Sequence, residues 1–214
     1  GRSVITLAAD RHDEGIELSE LTVETGRLSV DAGGTISSRD ADLAATLRLD
    51  SLASVDPGIG GALAAQAHLT GPAGTRRLEL NGEAVDLQTG IARLDAALGG
   101  ETVLRLAARQ QGEGAVIETL RLVNPQLSLT GEGNLMPGAM DARVSASVPD
   151  FGVLDPGWSG ALVLEGRLLD GADGLDMALT GQGDGLAFGD PRIDGLLEGA
   201  STLDLRAMRG ADAV

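Results

Sequence analysis

One phrase occurs twice in this chain. Residues 93–108 read RLDAALGGETVLRLAA, and 99 residues later 192–207 read RIDGLLEGASTLDLRA. Slid by 99 positions, the whole sequence aligns on itself without a gap. Identities include Asp56/Asp155, Pro57/Pro156, Gly58/Gly157, Gly82/Gly181, Gly90/Gly189, Asp95/Asp194 and Gly100/Gly199, with Leu7/Leu106, Gly15/Gly114, Leu28/Leu127 and Gly34/Gly133 in the earlier part. Self-similarity at one fixed period is the mark of stacked structural units, each burying its apolar face against the next. The chain divides into a unit over 1–99, a second over 100–198, and the start of a third over 199–214.

Inside a unit the hydrophobic period is two. Leu104, Leu106 and Ala108 fall on one face of a strand over 101–110, with Arg105 and Arg109 opposite. In 76–84, Leu78, Leu80, Gly82 and Ala84 alternate with Arg77, Glu79, Asn81 and Glu83. In 61–70 the apolar set is Leu63, Ala65, Ala67 and Leu69, and its copy is Leu162, Leu164, Gly166 and Leu168. In 41–50 it is Leu43, Ala45, Leu47 and Leu49, and its copy is Ala142, Val144, Ala146 and Val148. The same phase in the remaining strands adds Leu7, Leu28, Val30, Leu120, Leu122, Leu127, Leu129, Leu179, Leu203 and Leu205. Such alternation belongs to antiparallel strands with one apolar and one wet face. The pattern predicts an all-β chain.

Two departures from the rhythm recur with the repeat. Leu18 and Leu21 lie three apart, as do Ile117 and Leu120, so the inward phase slips at one place in both units. An extra residue restores the phase, which predicts β-bulges near 19–20 and 118–119. Segments 91–98 and 190–197 space their apolar residues as a helix does (Leu94 and Leu98; Ile193 and Leu197), and Pro191 suits a first helical turn. These read as short helical turns. Segments 51–58 and 150–157 end in DPG and read as corners.

Composition narrows the function classes. Hydrophobic residues make up 43% of the chain but aromatics only 1% (Phe151, Trp158 and Phe188), so a pocket for a planar ring is disfavoured. The formal net charge of −16 argues against nucleic acid and anionic membrane surfaces as partners. No cysteine is present, which excludes disulfide and thiolate chemistry. No run of 18 apolar residues marks a membrane span. The sequence enters directly in strand rhythm with no signal peptide, as a segment of a longer protein does.

Catalytic and metal chemistry find little to stand on. His12 lies in the acidic turn DRHDEG and His68 on the polar face beside Gln66, and both read as solvated. No nucleophile–base pair is legible. Asp95 and Asp194 follow Arg93 and Arg192 by two residues beside the helical turns, where caps or local ion pairs are expected. The runs DGADGLD (170–176) and GDG (183–185) match neither EF-hand spacing nor a tandem nonapeptide, and read as turns. No cofactor is called for.

Roughly six strands per unit give about thirteen in all, a sheet about 60 Å long at the usual strand spacing. Its apolar face needs cover, and no amphipathic helix of three turns is present to supply it. The sheet must fold over, either closing as a filled sandwich or staying ajar as a groove. Leu, Val and Ala line either. At this point the run RLDAALGGETVLRLAARQQGEGAVIETLRLVNPQLSLTGEGNL (93–135), with DPRIDGLLEGASTLDLRA (190–207), resembles the TamB family of envelope proteins, relatives of AsmA-like proteins. The resemblance rests on a Leu/Gly-rich repeat grammar and spans essentially the whole chain. It implies a periplasmic β-taco, an elongated antiparallel sheet folded into a U-shaped groove whose lining would be the apolar positions named above. It further implies a parent anchored in the inner membrane, an Omp85-type outer-membrane partner (TamA), carriage of phospholipid acyl chains between membranes, and support for the assembly of outer-membrane proteins such as autotransporters. The competing reading is a structural, adhesin-like β-solenoid with a closed, packed core.

Overall fold

A computed structural model describes residues 3–13, 15–171 and 174–210. Thirteen strands form one open sheet in strict chain order, every neighbour antiparallel to the last. The first unit contributes β1 (Val4–His12), β2 (Gly15–Glu24), β3 (Leu28–Ser37), β4 (Ala41–Leu49), β5 (Gly60–Thr70) and β6 (Arg77–Gln88). The second contributes β7 (Glu101–Gln111), β8 (Gly114–Val123), β9 (Ser128–Leu135), β10 (Asp141–Val148), β11 (Ser159–Gly171) and β12 (Gly174–Ala187), and β13 (Ala200–Gly210) opens a third. Ala172, Asp173 and residues 211–214 lie outside the described residues, so part of the DGADGLD run is not placed.

The helical turns fall where the spacing predicts. Helix α1 spans Ala92–Ala97 and α2 spans Pro191–Leu197, with Pro191 in the first turn and the Asp190 carboxylate accepting from the Arg192 amide. The two DPG corners begin as 3-10 turns, Leu52–Ser54 and Phe151–Val153. In an up-and-down meander, all four of these connections come at the same end of the sheet. Most of the buried side chains lie at that end, with Ala41 the exception at the other. Leu49, Ala84, Ala97, Leu98, Val148, Phe151, Leu162 and Leu186 are all buried, and α2 packs on β12.

Both predicted bulges are present. Between β1 and β2, Ala8 pairs with Glu20 but Ala9 pairs with Leu18, leaving Ser19 extra; between β7 and β8, Glu118 is extra in the same way. Across the next strand, Gly34 and Gly133 sit opposite Leu18 and Ile117 with φ of 130° and 154°. A Cβ at either glycine would strike the facing backbone of β4 or β10, so the kinked ladder closes only around glycine. A second pair of bulges was not legible in the hydrophobic pattern. Gly61 opposes Asp86 and Leu87, and Gly160 opposes Gly185 and Leu186. Gly183–Gly185 therefore lies inside β12 rather than in a turn: Gly185, at φ 59°, supplies the left-handed residue that Asp86, at φ 53°, supplies in the first unit.

Candidate functional site

Register turns the alternating pattern into a surface. Following Cα partners across the sheet, one row runs Leu7, Leu21, Ala32, Ala45, Ala67, Leu80, Leu106, Leu120, Gly131, Val144, Gly166, Leu179, Leu205. Two residues along each strand, a parallel row runs from Ile5 through Val30, Leu47, Leu104, Leu122, Leu129 and Leu164 to Leu203. On the other side a third row runs from Ala9 through Leu43, Leu69, Leu78, Ile117 and Leu168 to Ala207. No row contains a charged residue at any of its thirteen strands. The bulges make this possible: without the extra Ser19 and Glu118, everything beyond them on β2 and β8 would switch faces.

These rows are not packed shut. Of the predicted groove-lining residues, Leu49, Val148 and Leu162 are buried, while Leu28, Val30, Leu47, Leu63, Leu69, Leu78, Leu80, Leu104, Leu106, Leu120, Leu122, Leu127, Leu129, Val144, Leu164, Leu168, Leu179 and Leu203 are half-buried. Leu7 and Leu205, on the two edge strands, are 65% and 56% exposed. A filled sandwich buries its inward positions almost completely. Here the buried large side chains gather at the helical end, where Leu127, Leu164 and Leu203 also pack on the cluster of Val148, Phe151, Leu162 and Leu186.

The three aromatics meet in that cluster. Phe151 stacks on Trp158 with centroids 5.0 Å apart, and Phe188 sets its edge against both, at 5.6 and 5.3 Å. Arg93, from the preceding unit, lies over the Trp158 ring at 4.4 Å and reaches Asp155 at 3.2 Å. The Arg-x-Asp motif thus works differently from a local ion pair. Asp95 accepts from the Thr89 amide and hydroxyl, and Asp194 from the Phe188 amide, pinning each helical turn to the strand before it. The arginine is left to reach the next unit.

The opposite face is polar, and its side chains line two broad depressions. One of about 680 Å³ is lined by Arg121, Thr130, Glu132, Arg143, Ser145, Glu165 and Arg167 among others. A neighbouring one of about 660 Å³ is lined by Asp31, Arg48, Gln66, Asn81, Glu83 and Arg105. Arg167 grips Asp141 through two bonds of 2.9 and 2.8 Å, and this hydrogen bonding holds the Asp141 carboxyl below its ordinary range and the Arg167 guanidinium above its own. His68 is exposed, as its alternation implies, but it is not merely solvated: its Nε2 lies 2.7 Å from Asp42 Oδ1. His12 stands 3.5 Å from Glu17. Sequence inspection misses the His68–Asp42 pair because its members are 26 residues apart and meet only through the β4–β5 register.

Among the described residues, no group of three or more His, Asp or Glu is placed to hold a metal ion, and no helix is long and apolar enough to cross a membrane. Compared with family models, curated proteins and solved structures, the chain matches none of them.

Proposed function

We propose that this chain is a β-groove module of TamB type, which shelters phospholipid acyl chains on its apolar face during passage between two membranes. The observation that carries this reading is the set of uncharged apolar rows running unbroken across the sheet and left half-open. A continuous apolar strip about 60 Å long exceeds the patch that a protein leaves facing water without a use for it. Flexible aliphatic side chains with no ring among them suit an acyl chain, which needs neither a stacking partner nor a hydrogen bond. In this reading the module works in the periplasm, within a parent anchored in the inner membrane. That parent cooperates with an Omp85-type protein such as TamA in assembling outer-membrane proteins.

Substitution on the open part of the face tests it. Leu122 and Leu129 are directly paired and half-buried, whereas Leu162 is 8% exposed inside the cluster. Leu122→Arg or Leu129→Arg should leave the fold intact, because the guanidinium can snorkel out of an open groove. Leu162→Arg should unfold the chain, at a cost of several kcal/mol. Mass spectrometry of the purified protein should find phospholipid, and much less of it in the Leu129→Arg variant. Unfolding of Leu129→Arg would reveal a closed core instead. A folded variant carrying as much lipid as its parent would remove the conduit.

A further inference from the structure

The apolar face does not exhaust the molecule's chemistry. On the polar face, three pairs of arginines stand directly opposite one another on neighbouring strands: Arg77 with Arg109, Arg143 with Arg167, and Arg105 with Arg121. Like charges in directly opposed positions repel unless something lies between them. In one pair something does, and in a second each arginine has a carboxylate of its own. Glu118, the bulged residue, spans Arg77 and Arg109 with one oxygen to each, at 3.1 and 3.6 Å. Asp141 and Glu132 serve Arg167 and Arg143, at 2.8 and 3.7 Å.

The third pair has no such bridge. Among the described residues neither Arg105 nor Arg121 has an ion-pair or hydrogen-bond partner. The positions flanking them in the same row are Asn81 on one side and Thr130 on the other, neutral groups able to donate. Of the carboxylates diagonal to the pair, Glu79 is held by Arg77 at 3.0 Å and Glu132 by Arg143, while Glu83 makes no ion pair. The pair also lies where two depressions meet, Arg105 lining one and Arg121 the other.

We propose that Arg105 and Arg121 form an oxyanion site that takes a phosphate group, supplying from outside the bridge that Glu118 supplies from within to Arg77 and Arg109. Two directly opposed arginines, their Cβ atoms about 5 Å apart, present more donors than one carboxylate can accept from, and a dianionic phosphate answers both charges at once. The chain's net charge of −16 opposes any anion at long range, but beyond about 10 Å in ordinary salt that field is screened and the local pair decides. The site is on the face opposite the apolar rows, so one lipid cannot occupy both, and it stands or falls separately from the groove reading.

Calorimetric titration of the whole chain with inorganic phosphate in about 0.1 M salt, where the net charge is screened, should show one saturable site, tighter than for acetate. Arg105→Gln/Arg121→Gln should weaken it by about tenfold or more. Arg109→Gln, which leaves Glu118 held by Arg77 at 3.1 Å, should not, and Glu83→Gln should strengthen it by removing an unpaired carboxylate diagonal to Arg105. A second arm uses vesicles of phosphatidylcholine with phosphatidic acid. Sedimentation of the chain with them, lost in the double variant, assigns the phosphate to a lipid headgroup; phosphate binding without sedimentation assigns it to a free or soluble phosphate. Unchanged phosphate affinity in the double variant, with its circular dichroism unaltered, overturns the site, as does acetate binding as tightly as phosphate.

Discussion

The two units turn the same corner with different chemistry. After β4 the chain rounds its DPG turn on Leu52 and Ile59; after β10, 99 residues later, Phe151 and Trp158 stand in those places, and Phe188 replaces Thr89. The turn itself is the same: the Asp56 carboxylate accepts from the Gly58 amide at 2.8 Å, and Asp155 from Gly157 at 3.0 Å. What differs is what the corner holds. Ile59 is 36% exposed, whereas Phe151 is 8% exposed within the aromatic cluster. Backbone conformation is therefore set by the short polar and glycine positions common to both units. The apolar positions are free to make one corner a weak joint and the other an anchor. Arg93 shows why the second is the anchor, since α1 of the preceding unit is there to dock on it.

Truncating the anchor should have the largest effect. Phe151→Ala removes a buried ring stacked on another, and is expected to cost about 3–5 kcal/mol in urea denaturation. Leu52→Ala, at the same point of the first unit, should cost less than half as much, because its side chain is only half-buried. Equal losses at the two corners would mean that both are anchors.

The next effect belongs to Asn124, which is 8% exposed and donates to the Ala97 carbonyl at 2.7 Å while accepting from the Gln126 and Leu127 amides. Asn124→Ala strands several buried polar groups and should cost about 1–3 kcal/mol in thermal unfolding. Thr25 stands 99 residues earlier and caps the Arg27 and Leu28 amides from an exposed position. Thr25→Ala should cost about 1 kcal/mol or less, since water can replace the bonds it loses.

Arg93→Ala should cost about 1 kcal/mol, through the lost contact with the Trp158 ring and the loosened tie between units. Its copy Arg192 has no side-chain partner among the described residues, and Arg192→Ala should be neutral. A double-mutant cycle between Arg93 and Trp158 measures that tie directly.

The smallest contrast is one of pH. Asp141–Arg167 and Asp42–His68 occupy the same two positions of the repeat, 99 residues apart. Hydrogen bonding to Arg167 lowers the folded-state pKa of Asp141 below its unfolded value. Its contribution to stability is therefore fully present above the ordinary carboxylate range and is lost as pH falls through the depressed folded value. NMR titration should place the Asp141 midpoint below that of an unpaired aspartate, and Arg167→His should bring it back toward the ordinary range. A midpoint unmoved by that substitution would mean the fork with Arg167 does not form in solution.

Much of this architecture is legible in the sequence, for a definite reason. Strand alternation, the 99-residue period and the phase slip at Leu18/Leu21 and Ile117/Leu120 are properties of residues near one another or related by one fixed offset. Hence the strands, the bulges at Ser19 and Glu118 and the two helical turns followed directly. The bulges at Asp86 and Gly185 did not, because each precedes a leucine, Leu87 or Leu186, at a strand end where too few positions follow to reveal a change of phase. The Arg-x-Asp motif was legible as a recurring feature but not as a device, since Arg93 finds Asp155 at a separation of 62 residues.

By itself, then, the sequence determined that this chain is a repeated antiparallel sheet with one apolar and one polar face, because side-chain direction in a strand follows from backbone geometry alone. Only the tertiary structure decided whether that apolar face closes, and which charges on the other face are matched. Both depend on register and curvature summed over thirteen strands. Residues such as Arg105 and Arg121 become neighbours, and Leu122 and Leu129 stay half-open, only once each strand has settled against the next.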